Sequence, residues 1–363
     1  MIQPSNTNIS PKTRKSTTAK SVQKSKIDQS LEELLDENSP DLEEVKNLRP
    51  SQIDDYIGQS QLIKQLKVIL DSARIREKLP DHLLFYGPPG LGKTTLSSLI
   101  ANELQVGFKI ISAPAIQKSG DIVSLLLNLE EKTILFIDEI HRLKAPIEEI
   151  LYTAMEDKMI DVILGKGQGA ISTRMELADF TLVGATTKLG KLSKPLQDRF
   201  TTIFQLHLYE PSEIQQIIGR NIDILGVKME YPAMIHLSKY CRGTPRVANN
   251  LLRRLLDFQV VNKFEIFDKS QVEDFLHELG IYENGLTRQD MHYLNALKNN
   301  TSLGVKTLAG ILLEEVDTLE EVREPYLIHL GLIDKSVEGR RLTQKGREFL
   351  GETSFKSNIQ ELW

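Results

Sequence analysis

The stretch LLFYGPPGLGKTTLSSLI, from Leu83 to Ile100, constrains the fold more than any other part of the chain. An apolar run enters a glycine-rich turn and leaves as a helix, and the turn fits the phosphate-binding pattern GxxxxGK[ST] from Gly87 to Thr94. Glycines let such a backbone curl so that several N–H groups point inward. The helix beginning near Thr94 adds its own free N–H groups. Lys93 is placed to reach the outer phosphates of a nucleotide, and the hydroxyl of Thr94 to join a Mg²⁺ shell. The expected contact set is Gly87, Pro88, Pro89, Gly90, Leu91, Gly92, Lys93, Thr94 and Thr95. A phosphate loop implies a bound nucleotide but not the work done with it.

The segment TILFIDEI, from Thr133 to Ile140, supplies the complementary half. Asp138 ends an apolar strand, where its carboxylate can hold Mg²⁺ directly or through water. Glu139 is placed to accept a proton from an attacking water. His141 is read as a structural neighbour of that strand end. A third apolar strand, FTLVGATT from Phe180 to Thr187, brings Thr187 to hydrogen-bond the attacking water or the γ-phosphate; simple strand-end capping is the alternative. Apolar strands separated by helices fit a parallel α/β sheet.

The chain has 363 residues, enough for about two or three domains. Residues 1–45 divide into a tail free of Asp and Glu up to Ile27 and an acidic segment after it. The tail cannot bury enough apolar surface to offset the entropy of ordering, so it is expected to be disordered. Its basic charge suits weak nucleic-acid affinity or a solubilising or targeting role. A nucleotide-binding α/β unit is expected over 46–208, a helical unit over 209–282, and a third unit over 283–363. No apolar run approaches the roughly 20 residues of a membrane span, so no membrane partner is expected. With a single cysteine, Cys241, no internal disulfide can form, and a cytoplasmic location is the simplest reading. Cys241 is expected to be a buried small hydrophobe. The net charge of −5 leaves room for a local basic patch that binds DNA.

DHLLFYGPPGLGKTTL, LFIDEIHRL, EEILYTAMED, FTLVGATTKLGKLSKPLQDRF, RGTPRVANNLLRR and REPYLIHLGLI together resemble the RuvB family, hexameric AAA+ motors that drive branch migration of Holliday junctions. The likeness spans about Leu48 to Leu350. It implies an AAA+ core, a helical lid and a C-terminal winged helix, with ATP and Mg²⁺ as cofactors. Residue by residue, it implies that Arg199 is an arginine finger reaching a neighbouring subunit's site. Thr187 becomes the first sensor and Arg246 the second. Leu48, Arg49, Tyr56, Ile57 and Tyr209 fall at the adenine pocket. The implied partners are duplex DNA and four-way junctions, further copies of the chain in a homo-hexamer, a RuvA-like protein, and a RuvC-like resolvase. The RuvA-like contact falls on a hairpin expected over 161–177, around Gly165, Gly167 and Gly169.

The last unit reads as a winged helix, with three helical patterns and wing strands IDKSV and RRLT around Glu338 and Gly339. Arg340 and Arg341 then fall where a DNA backbone phosphate is within reach, a contact that positions without reading sequence. The chain departs from the family pattern at Gln197, Thr201 and Glu338, and Glu338 would repel a nearby phosphate. The competing class is a clamp-loader-like or protein-remodelling AAA+ ATPase whose last domain binds protein. A nucleotide-binding module without turnover fits poorly with Lys93, Asp138 and Glu139 all present.

Overall fold

The structure is a computed structural model, and the residues described are 48–164, 171–298 and 300–351. The expected tail, the glycines of the hairpin tip and Trp363 lie outside them.

A five-stranded sheet organises the first unit. Its strands are β1 (Leu83–Tyr86), β2 (Gly107–Ser112), β3 (Thr133–Asp138), β6 (Phe180–Thr186) and β7 (Thr202–Gln205), in the order β2-β3-β6-β1-β7. Every neighbouring pair is parallel. The near-continuous apolar runs of β1, β3 and β6 follow from burial on both faces. β3 and β6 are buried along almost their whole length. The register sets Tyr86 beside Thr186 and Ile137 beside Gly184. The carboxyl ends of β1, β3 and β6 therefore open side by side, where ligands bind in open parallel sheets. Each end carries one element singled out above: the phosphate loop, Asp138 with Glu139, and Thr187.

Between β3 and β6 the chain makes the helix Ala145–Asp157 and an antiparallel hairpin of β4 (Met159–Leu164) and β5 (Ile171–Glu176). The expected hairpin is thus present, starting two residues earlier than read.

Four helices form the second unit: Pro211–Leu225, Tyr231–Ser238, Pro245–Asn262 and Lys269–Glu278. Proline near the start of the first three suits helix entry, where its missing N–H costs nothing. The fourth is closed by reciprocal bonds: the Asp268 carboxylate accepts from the Gln271 N–H, and the Gln271 amide oxygen accepts from the Asp268 N–H, both at 2.9 Å. Leu66, Phe85, Phe136 and Val183 belong to the same buried cluster as Ile218, Leu252 and Phe275, so sheet and lid share one core. Cys241 is in it, fully buried, and burial pushes its thiol pKa up.

The third unit has its own core, including Leu286, Tyr293, Leu308, Leu327, Ile333 and Leu342. Helices Arg288–Lys298 and Val305–Leu312 precede a helical segment from Val316 to His329 that contains a π turn at Leu319–Arg323. Antiparallel strands β10 (Ile333–Ser336) and β11 (Gly339–Leu342) form the wing. A small ribbon of β8 (Ile281–Tyr282) and β9 (Leu286–Thr287) joins lid to wing unit. Its turn needs Gly285: φ is 71°, and a Cβ there would lie 2.3 Å from the Tyr240 carbonyl oxygen. No helix among the described residues is long and apolar enough to cross a membrane.

Candidate active site

The phosphate loop leaves β1 and ends at Gly92, which caps the helix Lys93–Leu104 with φ of 97°. A Cβ at Gly92 would stand 2.7 Å from the Tyr56 hydroxyl, so positive φ and close approach both require glycine. Lys93 is buried, and its ammonium donates to the carbonyl oxygens of Gly87 at 2.8 Å and Pro88 at 2.9 Å. Burial lowers its pKa, and the nearby Asp138 and Glu139 oppose that shift. Thr94 and Thr95 lie half-buried in the first helical turn.

Across from the loop, burial raises the pKa of Asp138, while the Glu139 N–H, 2.9 Å from its carboxylate, opposes the shift. Glu139 has φ of 51°, a left-handed kink directly after the strand. The Thr187 hydroxyl donates to the Glu139 carboxylate at 3.3 Å. His141 Nδ1 lies 3.3 Å from the same carboxylate oxygen and 2.8 Å from the Thr186 hydroxyl. Desolvation lowers the His141 pKa. Its position between the ends of β3 and β6 fits the structural role expected for it.

The expected adenine-side residues meet in one pocket. Leu48, Arg49, Pro50, Tyr56, Ile57, Gly92, Thr95 and Tyr209 line it. The hydroxyls of Tyr56 and Tyr209 are 2.8 Å apart, and both reach the Leu91 carbonyl, at 3.3 and 3.2 Å. Burial pushes the Tyr209 pKa up to about 12 and raises that of Tyr56 as well. The sequence reading missed the lid side of the same pocket: Ile217, Arg220, Asn221, Pro245 and Asn249. Arg220 donates to the Leu48 carbonyl and to the Asn221 amide oxygen at 3.2 Å, and Asn221 donates to Asn249 at 2.7 Å. Their signal was an Arg-Asn pair set among Ile214, Ile217, Ile218 and Ile222, on a helix face that is otherwise apolar.

Three family models tile the chain in the same order as the three units. They are the Holliday junction DNA helicase RuvB P-loop domain over residues 48–206, the RuvB AAA lid domain over 209–282, and the RuvB C-terminal winged helix domain over 283–351. The chain belongs to the RuvB family. The Holliday junction branch migration complex subunit RuvB of Campylobacter hominis is 45% identical over 307 residues, covering 84% of this chain and 90% of that protein. Its counterpart from Paramagnetospirillum magneticum is 46% identical over 319 residues, covering 87% and 92%. Among solved structures, the Thermotoga maritima RuvB Holliday junction branch migration motor superposes with a TM-score of 0.75 at 39% identity, over 84% of this chain and 98% of that one. The expected fold, an AAA+ core with lid and winged helix, is thereby shown for this RuvB-family chain.

The remaining candidate residues lie around this centre. The Arg246 N–H points at the Gly90 carbonyl oxygen from 3.4 Å, so the lid meets the phosphate loop at the expected second sensor. Arg199 packs elsewhere within its own chain. It donates to Glu156 at 2.8 Å and to the Pro195 carbonyl at 3.0 Å, with its guanidinium 4.8 Å from the Tyr152 ring centre. Gln197, where the RuvB pattern has arginine, donates to the carbonyls of Leu189 at 3.2 Å and Leu192 at 2.8 Å, closing the turn that follows Thr187.

Arg340 corrects the sequence reading. Its side chain is only 7% exposed, with Nε 2.8 Å from Glu324 and Nη2 2.5 Å from Glu320. A guanidinium enclosed by two carboxylates holds the wing to the helix behind it and is not presented to a phosphate. Arg341 faces out, 53% exposed and paired with Asp334 at 2.8 Å. The alternation is that of a strand, whose successive side chains point to opposite faces.

Proposed function

We propose that the chain is the motor subunit of a homo-hexameric ring that couples ATP hydrolysis to branch migration of four-way DNA junctions. The observation that supports this most is the convergence of Lys93, Asp138, Glu139 and Thr187 at three adjacent strand ends, in a chain that also carries a winged helix. Lys93 would meet the outer phosphates of ATP, exchanging loop carbonyls for a charged partner. Glu139 would accept the proton of the attacking water, with the Thr187 hydroxyl fixing its carboxylate. The Tyr56–Tyr209 pair and the lid face would hold the base.

Mg²⁺ fits the donor set. The described residues contain no group of three or more His, Cys, Asp and Glu side chains able to hold a metal, but Mg²⁺ usually takes one or two protein ligands and fills its shell with phosphate and water. Thr94 and Asp138 would hold it, and bound there it would neutralise charge on the phosphates.

Arg199 would act on a neighbouring subunit, and Arg341 would contact the DNA backbone. The β4–β5 hairpin would bind a RuvA-like protein; its tip falls outside the described residues. A RuvC-like resolvase would act on the same junction. The test is phosphate release with and without duplex DNA, beside migration of a four-way junction with and without a RuvA-like partner. DNA stimulation and partner-dependent migration are expected. Stimulation by a protein and none by DNA would favour a protein remodeller.

A further inference from the structure

The π turn at Leu319–Arg323 sends Glu320, Glu321 and Arg323 to three places. π turns strain helical hydrogen bonding and recur where function requires them. Glu320 accepts from Arg340 and, at 2.8 Å, from Lys335, both on the wing hairpin. Glu321 is ion-paired with Lys188, the residue after Thr187. The Lys188 N–H donates at 2.9 Å to the Thr186 hydroxyl, which also meets His141. Arg323 is held by Glu314, with Nε at 2.6 Å and Nη2 at 2.5 Å, and its remaining nitrogen lies 3.5 Å from Asp290, a carboxylate that is 1% exposed. Asp290 is 3.6 Å from Arg242, in the RGTPR segment that ends at Arg246. The Arg242 guanidinium also sits over the Tyr326 ring, 4.1 Å from its centre.

We propose that this π turn couples the wing hairpin to both nucleotide-sensing segments, with Glu321 and Lys188 as positioning residues. The inference rests on the reading of the chain as a DNA-driven ATPase. One short element touches the wing and the loop that sets Thr187 against Glu139, and it reaches the segment ending at Arg246 through the buried Asp290. A half-exposed ion pair such as Lys188–Glu321 adds little to stability. What it does fix is the position of the Thr187–Lys188 backbone relative to the wing. A shift of the wing on DNA would therefore reach Glu139 through Lys188, Thr186 and Thr187.

The test compares the full chain with K188E, E321K and the double reversal K188E/E321K. Steady-state ATPase is measured with and without linear duplex DNA, and thermal stability and the KM for ATP are followed in parallel. Each single variant is expected to lower the DNA stimulation ratio by about threefold, the scale set by a surface ion pair, with KM unchanged. The double reversal should restore the ratio. A merely structural role would lower rates with and without DNA in parallel and leave the ratio intact. An unchanged ratio in both single variants, or no recovery in the double reversal, would overturn the coupling. A wild-type chain that DNA does not stimulate would instead overturn the motor reading on which it rests.

Discussion

The Thr187 hydroxyl donates to the Glu139 carboxylate across 3.3 Å, tying the end of β6 to the residue that follows β3. If Glu139 is the base and Thr187 orients it, their effects are not independent. Glu139→Gln should bind ATP and hydrolyse it about 10²- to 10⁴-fold more slowly, the usual contribution of a positioned base. Thr187→Val should also lower kcat with ATP affinity retained, and should add little in the Glu139→Gln background. Phosphate-release rates beside ATP titrations of both variants and their combination check this; fully multiplicative effects would separate the two roles.

Lys93→Ala should abolish turnover and weaken ATP binding at least about tenfold, since it removes a charged partner of the phosphates. Nucleotide titration measures it. Normal affinity and turnover would dissociate the loop from the phosphates.

Tyr56→Phe and Tyr209→Phe each remove one hydroxyl from a pair that shares the Leu91 carbonyl. Each should lower the stability of the fold by an amount near one buried hydrogen bond, about 1 kcal/mol. The double variant should fall short of the sum, because the two groups are 2.8 Å apart. Additive losses in calorimetric melts would mean that the hydroxyls act separately.

Arg199→Ala should bind ATP almost normally and hydrolyse it about 10³-fold or more slowly, the range for an arginine finger. Mixed with Glu139→Gln, it should recover activity, because some interfaces then combine an intact finger with an intact base. Mixed rings proven by mass with no recovered turnover would argue against action in trans.

Arg340 and Arg341 should now behave differently. Arg340→Ala leaves Glu324, 2% exposed, without its main partner and should destabilise the wing unit by about 3–5 kcal/mol, seen in thermal melts. Arg341→Ala should leave the melt unchanged and weaken junction and plain duplex binding alike, with the salt slope falling by about 0.9 for each phosphate that the arginine had neutralised. Glu338→Arg should strengthen binding. Salt-dependent titrations in which neither variant moved would put the DNA surface elsewhere.

The buried strands and the phosphate loop were readable because continuous apolar runs and a fixed glycine spacing are local signals. β2 and β7 were not named from the sequence. They are the two edges of the sheet, and their mixed exposure dilutes the apolar run that marked the others. The Tyr56–Tyr209 contact joins residues far apart in the chain, and only the resemblance to known relatives placed them together. The lid residues Arg220 and Asn221 were missed because an amphipathic pattern hides a polar pair that is satisfied inside the pocket. Arg340 was misassigned because a glycine turn with two arginines looks the same whether the first points in or out. The facing carboxylates, Glu320 and Glu324, come from a helix that sequence alone does not dock.

The buried Arg340 also separates two properties of the wing that usually change together. Its side chain fastens the hairpin to Glu320 and Glu324, and its backbone exchanges hydrogen bonds with Leu303 at 2.8 and 2.9 Å. Beyond that anchor the turn backbone is still held, with Ser302 donating to the Glu338 carbonyl at 2.9 Å and Gly339 pressed against the Leu303 carbonyl, but the side chains of Val337 and Glu338 are exposed. The side chains of Val337 and Glu338 can therefore be exchanged or recharged while the domain keeps its shape. A repulsive Glu338 could accumulate there by drift without loss of folding, and grip on DNA could be retuned by single substitutions that the rest of the molecule never registers.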